Sequence, residues 1–338
     1  MTMNAHAGDR LLADRFGRRI EYLRLSVTDR CDLRCRYCMA EKMQFVPRRD
    51  VLSFEEIEAL CDLFIARGVR KIRLTGGEPL VRSGVPDLAK RLGRRLDDGL
   101  DELTMTTNAT RLADSARELK DAGIERINVS LDTRDPDCFR YITRWGDIDR
   151  TLRGIEAGKR AGLAIKINMV ALKGLNDDEI VPMMRWCAEQ GHDLTLIETM
   201  PLGHIDEDRT DRYLPLDGVR ERLERDFTLL PMAERTGGPA RYWQVAELGL
   251  KLGMITPLTN NFCAGCNRVR LTATGRIYMC LGHDDHLDLK SALREGGVDA
   301  ASVLLNKAMF QKPEAHDFRI APGAGEPAVE RHMSVTGG

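Results

Sequence analysis

The chain lacks several things, and each absence narrows its class. No apolar run approaches the roughly 20 residues that a membrane helix needs, so no membrane contact is expected. Lysine and arginine number 51 against 52 aspartates and glutamates, a formal net charge of −1. That leaves no global basic field to gather nucleic acid, and none is expected as a partner. No internal repeat or low-complexity tract stands out. The first twenty residues mix Asp and Arg with short apolar pieces, unlike a signal peptide, and a cytoplasmic protein is expected. Charged residues at 30% and hydrophobic ones at 43% suit a soluble globular protein. A length of 338 residues suits one large domain, or one large and one small.

What is present is cysteine, in a telling arrangement. There are nine, an odd number, and six fall into two tight sets. In a cytosolic chain that pattern favours metal over disulfides. Cys61, Cys138 and Cys187 stand singly in predicted helices, where buried thiols are the ordinary role. The first set is Cys31-Asp-Leu-Arg-Cys35-Arg-Tyr-Cys38, spaced C-x3-C-x2-C, directly after the alternating run Tyr22-Leu-Arg-Leu-Ser-Val-Thr28. That run reads as a strand, so the loop leaves a stiff mount. Iron–sulfur cubanes normally take four thiolates, and no fourth cysteine lies nearby. Three thiolates would leave one iron open to a ligand, as an open zinc position admits a substrate. A zinc knuckle or three buried thiols fits the bare spacing too.

The order of predicted elements gives the fold. Ser53-Phe-Glu-Glu56 is a capping box that opens a helix ending near Gly68. Strands are predicted at 69–75, 102–107, 124–131, 163–170 and 193–199. Helices are predicted near 85–96, 111–122, 135–142, 147–161 and 177–190. With the first strand this is β followed by α six times, which implies parallel strands and right-handed crossovers. The unusual residues fall at the strands' C-terminal ends, the active face of a (β/α) barrel. The expected fold is therefore α/β, a partial (β/α)6 TIM-type barrel over residues 1–219, open on one side. A smaller C-terminal cap over 220–338 is expected to cover that side. Asp206 to Arg212 reads as a charged loop, 216–226 and 288–311 as helices, and the last twenty residues, rich in Gly, Pro and Ala, as a mobile end.

The cap carries the second set, Cys263-Ala-Gly-Cys266 with Cys280. With His283 it reads C-x2-C-x13-C-x2-H, a plausible zinc site. On spacing alone, zinc and iron–sulfur fit equally. Arg268 and Arg270 follow on an extended segment, facing the same side, so both forks can converge on one anion. More cations stand on barrel strands: Arg24, Arg73 and Lys166. If they point inward they need an anionic partner; if outward, they snorkel past the helices. Gly76-Gly77-Glu78 at a strand end lets backbone approach a ligand closely and offers a carboxylate to a cation. Alone, it is an ordinary β-to-α turn.

C-x3-C-x2-C with an aromatic before the third cysteine resembles the signature of the radical S-adenosylmethionine enzymes. YLRLSVTDRC, RLTGGEP, TTN, INVSLD, KIN, IETM, FCAGCNRVRLTATG with Cys280, and the final Gly337-Gly338 resemble, more narrowly, the members that cyclise GTP at the start of molybdenum cofactor biosynthesis. The resemblance covers about Tyr22 to the last residue and implies the following. Cys31, Cys35 and Cys38 hold a [4Fe-4S] cluster whose open iron chelates S-adenosylmethionine, and Tyr37, Gly77, Glu78, Ser130 and Met200 contact that ligand. Cys263, Cys266 and Cys280 hold a second [4Fe-4S] cluster, which grips the guanine of GTP. Arg24, Arg73, Thr106, Lys166, Arg268 and Arg270 contact GTP. A 5′-deoxyadenosyl radical removes hydrogen from C3′, and the sugar radical adds to C8, giving 3′,8-cyclo-7,8-dihydro-GTP. The Gly-Gly tail reaches the active site. A reduced-flavodoxin type of electron donor serves the reaction, and the next enzyme, cyclic pyranopterin monophosphate synthase, takes the product from a monomer or homodimer. The chain departs from the pattern at Thr195, where many members carry Arg, and at Ala40 and Ala109, which replace Pro and Gly. A radical enzyme with an auxiliary cluster acting on a peptide or RNA is the alternative in the same class. A non-enzymatic zinc or electron-transfer protein is the alternative outside it.

Overall fold

The computed structural model describes residues 11–207, 209–233, 237–320 and 327–337. Six strands alternate with helices as the sequence predicts. They are β1 (Tyr22–Ser26), β2 (Lys71–Thr75), β3 (Glu102–Thr107), β4 (Arg126–Ser130), β5 (Ala164–Val170) and β6 (Asp193–Ile197). Between them run α1 (Phe54–Ala66), α2 (Val85–Gly93), α3 (Leu112–Asp121), α4 (Pro136–Thr143), α5 (Ile148–Arg160) and α6 (Ile180–Gln190). The capping box forms: Glu56 N–H donates to Ser53 Oγ at 3.1 Å, and Ser53 N–H to Glu56 Oε2 at 2.8 Å. After β6 come α7 (Arg209–Arg212), inside the stretch read as a loop, and α8 (Leu216–Leu223).

The described residues beyond 220 do not build a sheet of their own. A three-stranded antiparallel meander follows, β7 (Leu229–Met232), β8 (Arg241–Val245) and β9 (Leu250–Ile255), then β10 (Arg268–Leu271), β11 (Arg276–Tyr278) and β12 (His286–Asp288). One twelve-stranded sheet results, in the order β12-β11-β10-β1-β2-β3-β4-β5-β6-β9-β8-β7. β10 pairs parallel with β1, and β9 pairs parallel with β6. The wall of parallel strands is thus extended on both sides by later parts of the chain. Two helices complete the fold, α9 (Leu289–Gln311) and α10 (Met333–Thr336).

Alternation along the strands separates two faces. Leu23, Leu25, Ile72, Leu74, Leu103 and Met105 point outward into the core shared with the helices, which send in Leu60, Phe64, Leu88 and Leu119. The other face is polar. Arg24 lies level with Arg270 on one side and Arg73 on the other, and Asn128 lies level with Lys166. Residues from β10 to β8 line one cavity, so the sheet curls with this polar face inside. The cations therefore point inward. Ion pairs fill the bottom: Glu102 with Lys71 and Arg126, and Asp193 with Lys251.

The last residues differ from the expected mobile end. Val329 pairs with Leu202, Gly203 N–H donates to the Val329 carbonyl at 2.8 Å, and α10 leads to Gly337. Short apolar anchors, Val329 and Met333, hold a segment whose composition alone suggests a loose end. Gly338 lies outside the described residues.

Candidate active site

The first cysteine set occupies the loop after β1, and three elements grip that loop. Gly77 N–H donates to the Thr28 carbonyl and Glu78 N–H to the Arg30 carbonyl, both at 2.8 Å. A Cβ on Gly76 or Gly77 would lie 2.3 Å from the Thr28 or the Arg30 carbonyl oxygen. The close approach that these glycines permit is therefore to the cysteine loop. Asp32, between the first two cysteines, accepts from Asn108 Nδ2 at 2.8 Å and Thr110 Oγ1 at 2.6 Å, both beyond β3. Trp145 Nε1 donates to the Asp32 carbonyl at 2.9 Å. Ala109, in the left-handed region at φ 61°, makes the turn in which the family pattern has Gly.

Cys31, Cys35 and Cys38 face a hollow of about 890 Å³, mouth included, with Gly77, Thr106, Ser130 and Met200 in its walls. Tyr37 lines it too, and its hydroxyl donates to Asp132 Oδ2 at 2.7 Å. Asp132 also accepts from Val170 N–H at 2.8 Å; burial, opposed by these bonds, pushes its carboxyl up to about 6. Burial and the Asp132 charge push the Tyr37 phenol well above its usual range, so it remains a donor. Burial likewise raises all three thiols, Cys38 to about 12. Glu78 does not line this hollow. Its carboxylate is spent on Leu80 N–H, Thr107 Oγ1 and Asn108 N–H at 3.0, 2.8 and 2.7 Å. It ties the end of β2 to the end of β3, and burial lifts its pKa to about 7.

The second set faces a neighbouring hollow of about 1030 Å³, mouth included. Cys263, Cys266 and Cys280 line it with Arg24, Arg73, Lys166, Arg268 and Arg270. Asn168, Ile197, Met200 and Met333 belong to both hollows, so the two cysteine sets look into one divided chamber. Thr106 lies on the side of the first set, where Arg73 Nη1 donates to its hydroxyl at 3.4 Å. Gly337 reaches the second hollow.

The electrostatics ask for an anion. Burial lowers Arg24 to about 9 and Arg270 to about 10, with neighbouring guanidinium groups adding to it. Burial lowers Lys166 to about 7, helped by Arg126 and Arg73. Tyr22 shows the same field: burial would raise its phenol, yet Arg73, Arg24 and Lys71 hold it below its ordinary value. The buried Nε atoms of Arg73 and Arg270 have no hydrogen-bond partner among the described residues. A buried donor left unsatisfied costs about 1–3 kcal/mol, which a bound phosphate oxygen would remove.

Three thiols per set, each set beside a hollow, fit a cluster with one open iron. The zinc alternative fits less well. His283 Nε2 meets the Ala315 carbonyl at 3.0 Å, with Asp317 at 3.8 Å. Among the described residues, no three His, Cys, Asp or Glu side chains gather round a point that could hold a single ion.

Several lining residues escape sequence reasoning. Asn128 and Asn168 follow the inward alternation of β4 and β5, a signal that could have found them. Tyr242 comes from β8, reaches across β9 at Gly253, and accepts from Lys166 Nζ at 2.6 Å. A Cβ on Gly253 would stand 2.9 Å from Tyr242 Cε1 and 2.8 Å from Thr195 Oγ1. Thr195, where the pattern has Arg, thus sits beneath the ring that positions Lys166, and its buried hydroxyl has no partner among the described residues.

Fold and site together define a radical S-adenosylmethionine protein with an auxiliary cysteine set. The model of the radical SAM superfamily matches residues 25–187, and that of the molybdenum cofactor synthesis C-terminal region matches residues 192–318. The chain is 60% identical to the GTP 3′,8-cyclase of Rhizobium meliloti over 97% of this chain and 94% of that protein. It is 60% identical to the GTP 3′,8-cyclase of Erythrobacter litoralis over 97% and 98%. It therefore belongs to the GTP 3′,8-cyclase family. Its cofactors are S-adenosylmethionine and two [4Fe-4S] clusters. Among solved structures, Streptococcus suis SuiB bound to S-adenosylmethionine shares the fold, with a TM-score of 0.59 over 86% of this chain and 64% of that chain at 15% identity.

Proposed function

We propose that this chain carries out its family's reaction, the closure of GTP between C3′ and C8 that opens molybdenum cofactor synthesis. One observation carries the reading: two three-thiol sets face a shared chamber lined by Arg24, Arg73, Lys166, Arg268 and Arg270. A reduced cluster on the first set, with S-adenosylmethionine, supplies the hydrogen-abstracting 5′-deoxyadenosyl radical.

The chain's own residues do the rest. Cys31, Cys35 and Cys38 hold one cluster, and Cys263, Cys266 and Cys280 the other. Gly77, Ser130, Met200 and Tyr37 border the S-adenosylmethionine side, with Glu78 acting from behind by fixing the turn. Arg24, Arg73, Lys166, Arg268 and Arg270 grip the triphosphate, their forks suited to phosphate oxygens, and Thr106 orients Arg73. Orientation and exclusion of water protect the substrate radical from side reactions. Residues 1–219 serve radical generation and share in holding the triphosphate, and 220–338 supply the guanine end and the tail.

The partners follow from the chemistry. A one-electron donor of reduced-flavodoxin type feeds the first cluster, and cyclic pyranopterin monophosphate synthase takes the product, from a monomer or homodimer. None of the nine cysteines is paired in a disulfide, which suits the reducing cytoplasm. No helix among the described residues is long and apolar enough to cross a membrane.

The test is an anaerobic assay of the reconstituted protein with GTP, S-adenosylmethionine and a reductant. 5′-Deoxyadenosine and a cyclised nucleotide should appear together, with about eight irons per chain. S-adenosylmethionine cleavage that GTP neither accelerates nor couples to a nucleotide product would sink the reading.

A further inference from the structure

Each cysteine of the second set is backed by a cation brought from a distant part of the chain. Arg18 donates through Nη1 to the Cys263 carbonyl at 2.8 Å and through Nη2 to the Pro313 carbonyl at 2.6 Å. Arg331 donates to the carbonyls of Cys280 and His283 at 3.2 and 2.7 Å. Lys312 goes further and reaches a sulfur. It follows α9, is 1% exposed, and its Nζ stands 3.6 Å from Cys266 Sγ.

The geometry of Lys312 accounts for its three donors. One goes to the Met279 carbonyl at 2.6 Å, one to the Arg268 carbonyl at 3.0 Å, and the third faces the thiol. An ammonium so deeply buried needs a counter-charge, because burying a lone ion costs several kcal/mol. The sulfur of Cys266, which the third donor faces, is placed to supply it as a thiolate. The first set sits in an opposite field. There Asp32 stands between the first two cysteines, and the buried Asp132 accepts from the hydroxyl of Tyr37, next to the third.

We propose that Lys312 is a positioning residue of the second cluster, holding the Cys266 thiolate and raising the reduction potential of the cluster bound there above that of the first. A positive charge beside a cluster favours its reduced, more negative state, and hydrogen bonds to the ligating sulfur act in the same direction. Merely tying the end of α9 to β10 and to the residue after β11 would need only the two carbonyl bonds. The inference rests on the second set being a cluster site, and iron content tests that separately.

The experiment compares wild type, Lys312→Gln and Lys312→Arg after anaerobic reconstitution. Iron is counted first, and each cluster's midpoint potential is then followed by its EPR signal. Gln keeps a donor for the carbonyls and loses the charge; Arg keeps the charge. The Gln variant should shift the second cluster to lower potential and leave the first unmoved, and the Arg variant should stay near wild type. A Gln variant that cannot hold the second cluster while Arg can would support the same role. Equal second-cluster potentials in Gln and wild type would overturn it. So would equal shifts of both clusters, or loss of the second cluster in Gln and Arg alike, which would make the role one of fit. Wild type with only one cluster would instead remove the assignment of the second site, and this inference with it.

Discussion

Lys166 carries its charge only in part at neutral pH, and this gives the chamber a pH dependence. Its folded pKa is lowered to about 7, so the free protein has the ammonium below that pH and loses it as pH rises. A triphosphate prefers the charged form, so GTP affinity should fall above about pH 7, by up to about tenfold per pH unit, until the bound-state pKa is reached. Lys166→Arg should flatten that slope in anaerobic calorimetry. A slope unchanged in the Arg variant would remove Lys166 as its source. Arg268 makes a different demand. It is buried, lies over the Phe262 ring at 5.2 Å and borders the second cysteine set. Arg268→Ala should weaken GTP binding about tenfold or more, since a charge-assisted bond contributes about 1.5–3 kcal/mol. S-adenosylmethionine cleavage should remain possible. Unchanged GTP affinity would end the role assigned to it.

Among the elements, the turn after β2 does the most with the fewest atoms. Gly77 has no room for a methyl group because the cysteine loop lies against it. Gly77→Ala should cost on the order of 1–3 kcal/mol by overpacking and displace the loop. Iron content should then drop from about eight to about four per chain, the second cluster surviving. Full iron content would show that the loop has freedom its packing denies. The start of α1 offers a gentler case: Ser53→Ala should cost about 1 kcal/mol by chemical denaturation, with cluster content unchanged.

These elements also show what the sequence could and could not tell. The six βα units were legible because each strand alternates and each helix is bounded by caps and glycines. The inward aim of Arg24, Arg73 and Lys166 was not, because alternation gives two faces and does not say which is the chamber. Strands β7 to β9 were missed because Gly, Pro and charged residues interrupt their pattern. Tyr242 was invisible for the same reason. Glu78 was legible as important, but the bonds its carboxylate makes to Leu80, Thr107 and Asn108 were not, since those partners come together only when the ends of β2 and β3 do. Lys312 looked like any lysine after a helix; only its burial beside Cys266 distinguishes it.

At the scale of the whole molecule, the tail closes what the barrel begins. Gly337 sits at φ 76°, and a Cβ there would stand 2.2 Å from Thr75 Cγ2. Gly337→Ala should expel the terminus from the chamber. GTP-dependent 5′-deoxyadenosine formation should fall about tenfold or more, with iron content and melting temperature close to wild type. Activity near wild type would show that the terminus is a passenger. The sheet carries a larger lesson. Its first and sixth strands find their outer neighbours only in β10 and β9. A ribosome that had delivered only the first two hundred residues would therefore have made a sheet with two raw seams, each a template for a stranger's strand. Stitching both seams shut from one late stretch of chain makes the site the last thing to be finished. Any graft of a foreign C-terminal half must match two selvedges at once.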